Sequence, residues 1–180
     1  MASLPRFPDS PAAEQLVLGA GQLHFAHAPG IVHTLLGSCV AITLWHPRLH
    51  CGGMCHYLLP RREDYVRNQQ PRGHYGSDAI AFFVEQARRV GCKPSDFQVK
   101  LFGGGQMFDD LPPGANPVDV AGGNVAIGLE LLKQNGFRVR AADTGGVRYR
   151  KIFLDLSSGD VWVQYGKYAQ SDPFKTVEQA

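Results

Sequence analysis

Apolar positions along this chain fall mostly at alternate residues or in short unbroken runs, and only twice at helical spacing. Ile31 to Leu36 and Val40 to Trp45 are apolar runs, the first rich in β-branched residues, and read as strands; Cys51 to Leu59 is a third apolar segment. Leu16, Leu18, Leu23 and Phe25 alternate loosely around Gly19 and Gly21, as in a strand pair broken by glycines. Phe97 to Phe102 alternates and runs into Gly103-Gly104-Gly105. Phe137 to Ala142, Val147 to Asp155 and Val161 to Tyr165 complete the strand candidates, the last two joined by a Ser157-Ser158-Gly159-Asp160 turn. Ser77 to Val90 predicts a helix: Ser77 as N-cap, Asp78 in the first turn, a stripe of Ala79, Phe82, Phe83, Gln86 and Val90, Arg88-Arg89 in the last turn and Gly91 as the stop. Asn124 to Gln134, closed by Asn135-Gly136, predicts a second.

Strands outnumber helices and consecutive hairpins are antiparallel, which predicts an α+β fold: a layered, β-sandwich-like core of mainly antiparallel strands with about two packed helices. One domain is expected over residues 16–166. A proline-rich N-terminal arm precedes it (1–15), a short tail follows (167–180), and long loops run over Pro60 to Tyr75 and Asp109 to Pro117. A four-residue loop from His46 to Leu49 would set Trp45 opposite His50 and Cys39 opposite His56. Directly opposed residues share a face, with Cβ atoms about 5 Å apart.

Composition adds bounds. The 180 residues are 44% hydrophobic and 19% charged, which suits an ordinary globule with a sizeable core. The net charge of +2 comes from 18 basic and 16 acidic residues interleaved along the chain, so no basic tract marks a nucleic-acid surface. No apolar run reaches the roughly 20 residues of a bilayer span and no signal peptide opens the chain, so a cytoplasmic protein with no membrane insertion is expected. The four cysteines are then free thiols, ligands or catalysts rather than a disulfide framework.

Within Val32 to Pro60, Cys39 follows the Gly37-Ser38 bend, where backbone N–H groups can point at a developing oxyanion. His56 lies on the next apolar segment. An imidazole that takes a thiol's proton makes it a nucleophile at neutral pH and can then protonate a leaving amine. Thr34 would accept the other imidazole N–H through its hydroxyl and fix the tautomer. Alone, each of these residues reads as structural: an inert core thiol, a core histidine, a strand-forming threonine. The rival chemistry is zinc, since Cys39, Cys51, Cys55, His46, His50 and His56 crowd together. Only Cys51-x₃-Cys55 and His46-x₃-His50 have ligand spacing, and they flank the same turn. The expectation is no metal.

Thr34-Leu35-Leu36-Gly37-Ser38-Cys39-Val40-Ala41 followed by Gly52-Gly53-Met54-Cys55-His56-Tyr57-Leu58-Leu59-Pro60 resembles the signature of CheD, the chemoreceptor glutamine deamidase family. Phe102-Gly103-Gly104, Gly123-Asn124, Asp143-Thr144-Gly145-Gly146 and Arg150-Lys151-Ile152 fall where that family has similar motifs. The resemblance implies a layered α+β fold. It implies an enzyme that converts glutamines on the cytoplasmic helices of methyl-accepting chemotaxis receptors to glutamate, without cofactor. In it Cys39 is the nucleophile, His56 the general base and acid, Thr34 the orienting hydroxyl, and Gly37 and Ser38 border the oxyanion. The alternative it leaves is a non-catalytic adaptor that binds receptor helices or a CheC-type phosphatase.

Overall fold

A computed structural model of the chain describes residues 14–64, 70–107 and 119–168. Nine strands and two helices follow the order β1 (Gln15–Val17), β2 (Leu23–His27), β3 (Ile31–Leu36), β4 (Val40–His46), β5 (Cys51–Tyr57), α1 (Gly76–Arg89), β6 (Gln98–Gly103), α2 (Val120–Gln134), β7 (Val139–Thr144), β8 (Arg148–Asp155) and β9 (Val161–Tyr168) among these residues. They form a four-stranded sheet, β1-β3-β8-β9, and a five-stranded sheet, β2-β5-β4-β6-β7. Pairing is antiparallel except β1 with β3 and β6 with β7, the latter pair joined through α2 as a crossover requires. The expected α+β class with mainly antiparallel sheets holds.

Three layers result, because the central strands are apolar on both faces. Val40, Ile42 and Leu44 of β4, Cys55 and Tyr57 of β5 and Leu101 of β6 pack with Ala79, Ile80, Phe83 and Ala87 of α1 and with Ile127 and Leu132 of α2. The alternate residues Ala41, Met54 and Phe102 turn the other way and pack against Val32, Leu36, Ile152 and Leu154 of the second sheet. Every residue of β4 and β5 is buried, the mark of strands covered on both sides.

Several boundaries move. Ser77 does not cap α1; its Oγ accepts the Arg62 backbone N–H at 3.2 Å, and Tyr75 holds the cap position. Helix α2 begins at Val120 rather than Asn124: Asp119 is its N-cap and accepts from the Gly122 N–H at 2.8 Å. A Cβ at Gly122 would stand 2.1 Å from that carboxylate, so Gly122 makes room for the cap. Gln15, expected in the arm, opens β1, and Tyr168, expected in the tail, closes β9. Residues 1–13 and 169–180 and the loop Asp109 to Pro117 lie outside the described residues.

The hairpin register also differs. Trp45 pairs with Gly52 and His56 with Ala41, not His50 and Cys39. His50 has φ +45, so it closes the turn instead of joining the ladder, and His46 is the last paired residue. His46 also braces that turn, accepting at Nδ1 from the Arg48 and Leu49 amides at 3.3 and 3.2 Å. Moving the loop by one residue keeps the face of every side chain. Cys39, just before Val40, therefore stays on the His56 face but stands diagonal to it.

Candidate active site

Thr34 and His56 meet between the two sheets. Thr34 faces inward from β3 opposite Ile152, and His56 faces inward from β5 beside Ala41. Both are buried, at 1% and 5% exposure. Thr34 Oγ1 donates to the Leu18 carbonyl at 2.6 Å and lies 2.7 Å from His56 Nδ1. A hydroxyl has one proton, and Leu18 takes it. Thr34 Oγ1 therefore accepts from an Nδ1–H, which leaves the His56 Nε2 lone pair free to act as a base. Burial lowers the His56 pKa to about 4, opposed in part by the Leu18 carbonyl, so the ring is neutral at physiological pH.

Cys39 lies half-buried at the rim, in the bend that follows β3, packed against the same inter-sheet cluster. Burial raises its pKa above the ordinary thiol value, opposed by a hydrogen bond from Ser38. Thiol and imidazole are thus both neutral at rest, rather than a preformed thiolate–imidazolium pair. Among the described residues no hydrogen bond joins the Cys39 thiol to the His56 ring.

The bend is held through its carbonyls. Gly104 N–H donates to Cys39 O at 2.8 Å and Gly105 N–H to Gly37 O at 2.9 Å. Gly103 makes this approach possible: at φ +111 it occupies glycine-favoured backbone space, and a Cβ there would stand 2.2 Å from Cys39 O. With the carbonyls engaged, the Ser38 and Cys39 amides have no acceptor among the described residues. Two unpartnered N–H groups beside a thiol are the donor arrangement that acyl transfer needs.

The cysteines and histidines that suggested zinc divide between two layers: Cys51, opposite His46 in the ladder, and Cys55 lie in the helix-side core, while Cys39 packs with the inter-sheet cluster. Cys55 faces the helices and His56 the opposite layer. A different group, His46, Cys92 and Asp96, brings its ligand atoms within 4.8 Å of one another. Yet His46 Nδ1 accepts backbone N–H bonds, so the ring's proton sits on the buried, unpartnered Nε2. A metal-ligating histidine normally has the reverse arrangement, with its outer nitrogen donating.

Sequence patterning could not locate Leu18, whose part is played by a backbone carbonyl with no side-chain signal. Gly103 was visible only as one of three consecutive glycines.

The family model for CheD chemotactic sensory transduction matches residues 58–165 of this chain. Among curated relatives, a "Probable chemoreceptor glutamine deamidase CheD" of Pseudomonas syringae pv. tomato is 41% identical over 153 residues, covering 85% of this chain and 90% of that protein. One of Pseudomonas fluorescens is 43% identical over 152 residues, covering 84% of each. A "Probable chemoreceptor glutamine deamidase CheD 3" of Dechloromonas aromatica is 39% identical over 158 residues, covering 88% of this chain and 91% of that one.

Proposed function

This chain belongs to the CheD family, and from that membership we propose that it is a thiol amidohydrolase that converts glutamine side chains of chemotaxis receptors to glutamate, with Cys39, His56 and Thr34 as its catalytic set. The observation that carries this reading is the Leu18–Thr34–His56 chain of hydrogen bonds, which leaves Nε2 as the basic nitrogen.

As Cys39 Sγ attacks the glutamine δ-carbon, its proton passes to His56 Nε2 and a C–S bond forms. The negative charge that develops on the amide oxygen is met by the Ser38 and Cys39 N–H groups beside Gly37. The C–N bond then breaks, the Nε2 proton goes to nitrogen, and ammonia leaves a thioester. Water attacks that thioester, giving one proton to Nε2. As the C–S bond breaks, the proton returns to Sγ, and glutamate is released. The step needs no redox partner: one amide and one water give one carboxylic acid and one ammonia.

Cys39 reaches solvent at the rim while Thr34 and His56 lie beneath it, which suits a side chain inserted from a large partner surface. A receptor's cytoplasmic helices are the substrate in this reading. A CheC-type phosphatase is a second partner for the same rim. No helix among the described residues is long and apolar enough to cross a membrane.

Hydroxylamine tests the thioester. Added during turnover on a receptor fragment, it intercepts the acyl group as a hydroxamate, with a mass gain of about 16 units per modified glutamine. Glutamate formed at the normal rate with no hydroxamate at any hydroxylamine concentration contradicts the mechanism.

A further inference from the structure

Arg150 is a buried cation whose contacts lead to Cys39. It stands on β8 opposite Leu36, on the same inward face as Ile152, and is only 4% exposed. Its Nε donates to Asp143 Oδ1 at 3.1 Å and its Nη2 to the Gly145 carbonyl at 2.5 Å, while Nη1 has no partner. Tyr165, beside it in the sheet, donates its hydroxyl to the second carboxylate oxygen of Asp143. A buried guanidinium offset by one shared carboxylate is expensive to keep, and well-packed apolar residues often serve stability as well.

What the cation holds is the turn between β7 and β8. Gly145 and Gly146 both have positive φ, so the turn has little conformational preference of its own. Once pinned by Arg150, it makes two further bonds: Gly145 N–H to Gly103 O at 2.9 Å, and Gln106 N–H to Gly146 O at 2.7 Å. The segment between those anchors, Gly104 and Gly105, carries the N–H groups that hold the Cys39 and Gly37 carbonyls. Three links therefore connect one side chain to the bend that presents the thiol.

We propose that Arg150, through Asp143 and the Gly145–Gly146 turn, is a positioning residue that sets Cys39 against His56. It touches no reacting atom in this scheme. Its effect comes from geometry, since displacing a nucleophile by about 1 Å costs on the order of a hundredfold in rate. The proposal rests on the thiol-site reading above.

The test uses Arg150→Lys, Asp143→Asn and Tyr165→Phe in the full chain, at a temperature where circular dichroism shows each fully folded. Cys39 is alkylated with iodoacetamide at pH 7, its signal assigned by subtracting Cys39→Ala. Alkylation of His56→Ala, measured alongside, shows how much of the rate depends on the imidazole taking the thiol proton. The rate constant falls about tenfold or more in Arg150→Lys and Asp143→Asn. It falls about twofold in Tyr165→Phe, which keeps the ion pair. On a receptor fragment kcat falls in parallel and KM stays within about twofold. Should Arg150→Lys not fold, Asp143→Asn decides. Alkylation at or above the wild-type rate in the folded variants overturns the proposal, even where the melting temperature has dropped. Alkylation needs no receptor, so wild-type protein that releases no ammonia would refute the deamidase reading and leave this test intact.

Discussion

Thr34 Oγ1 lies 2.7 Å from His56 Nδ1, across the interface of two sheets. The direction of that bond is fixed by a third group, the Leu18 carbonyl, which takes the hydroxyl proton at 2.6 Å. A threonine that can only accept makes Nδ1 the protonated nitrogen and Nε2 the basic one. Much of the site's expected behaviour follows from this.

Replacing Thr34 separates hydroxyl from methyl. Thr34→Ser keeps the acceptor and should hold kcat within about threefold of wild type, whereas Thr34→Ala frees the tautomer and should lower kcat about a hundredfold, the scale of a displaced general base. Ammonia release from a receptor fragment under saturating conditions measures both. Equal activity in the two variants would remove Thr34 from the catalytic set.

The pH profile follows from the neutral resting pair. His56 must be unprotonated to accept the thiol proton, and its pKa is lowered to about 4. The acidic limb of kcat/KM, which reports the free enzyme, should therefore lie near about 4 rather than near about 6.5, the ordinary histidine value. Activity should persist through pH 5 to 6. An acidic limb above pH 6 contradicts the assignment of His56 as a buried neutral base.

The same shift couples folding to pH. A histidine whose folded pKa is depressed takes up its proton more readily when unfolded. Stability from keeping it neutral is thus complete above the unfolded value near 6.5 and is lost as pH falls toward about 4. The loss amounts to about 3 kcal/mol across that window. His24 and His33 shift in the same direction through burial and add to the wild-type slope. Urea midpoints at pH 4.5 and 7 should differ less in His56→Gln than in wild type; an unchanged difference rules out the coupling.

Gly103 offers a structural counterpart. An alanine there meets the Cys39 carbonyl at 2.2 Å and must adopt φ +111, so Gly103→Ala should cost about 2 kcal/mol or more. Chemical denaturation gives the stability. Cys39 alkylation should slow as well, because the bend has to move.

Much of this was legible in the residue pattern, for reasons particular residues make clear. Strands β4 and β5 announce themselves because they are covered on both faces and so are apolar almost throughout, whereas β3 shows itself by its β-branched and leucine run although Leu35 on its outer face is exposed. That Cys39 and His56 share one face of the hairpin could be read from alternation, since a one-residue shift of the loop preserves which side each residue faces; Thr34 approaches His56 from the other sheet, a relation alternation does not encode. The loop itself could not be read: nothing about His50 as a residue type marks it as the one that takes φ +45. Likewise nothing in the local pattern marks Asp119 as the cap of α2 or Gly122 as the residue that leaves it room. The Leu18 carbonyl and the route from Arg150 to Cys39 are backbone relations between distant segments, which no local pattern encodes.

The most direct measurement of the account is made on a receptor cytoplasmic fragment, incubated with wild-type protein or with Cys39→Ala and analysed by intact mass and peptide mapping. Wild-type protein should add about one mass unit per converted glutamine with one ammonia released, as amide NH₂ gives way to OH, and Cys39→Ala should do neither while melting near the wild-type temperature. Glutamine conversion by folded Cys39→Ala at a rate near that of wild type would contradict the central claim.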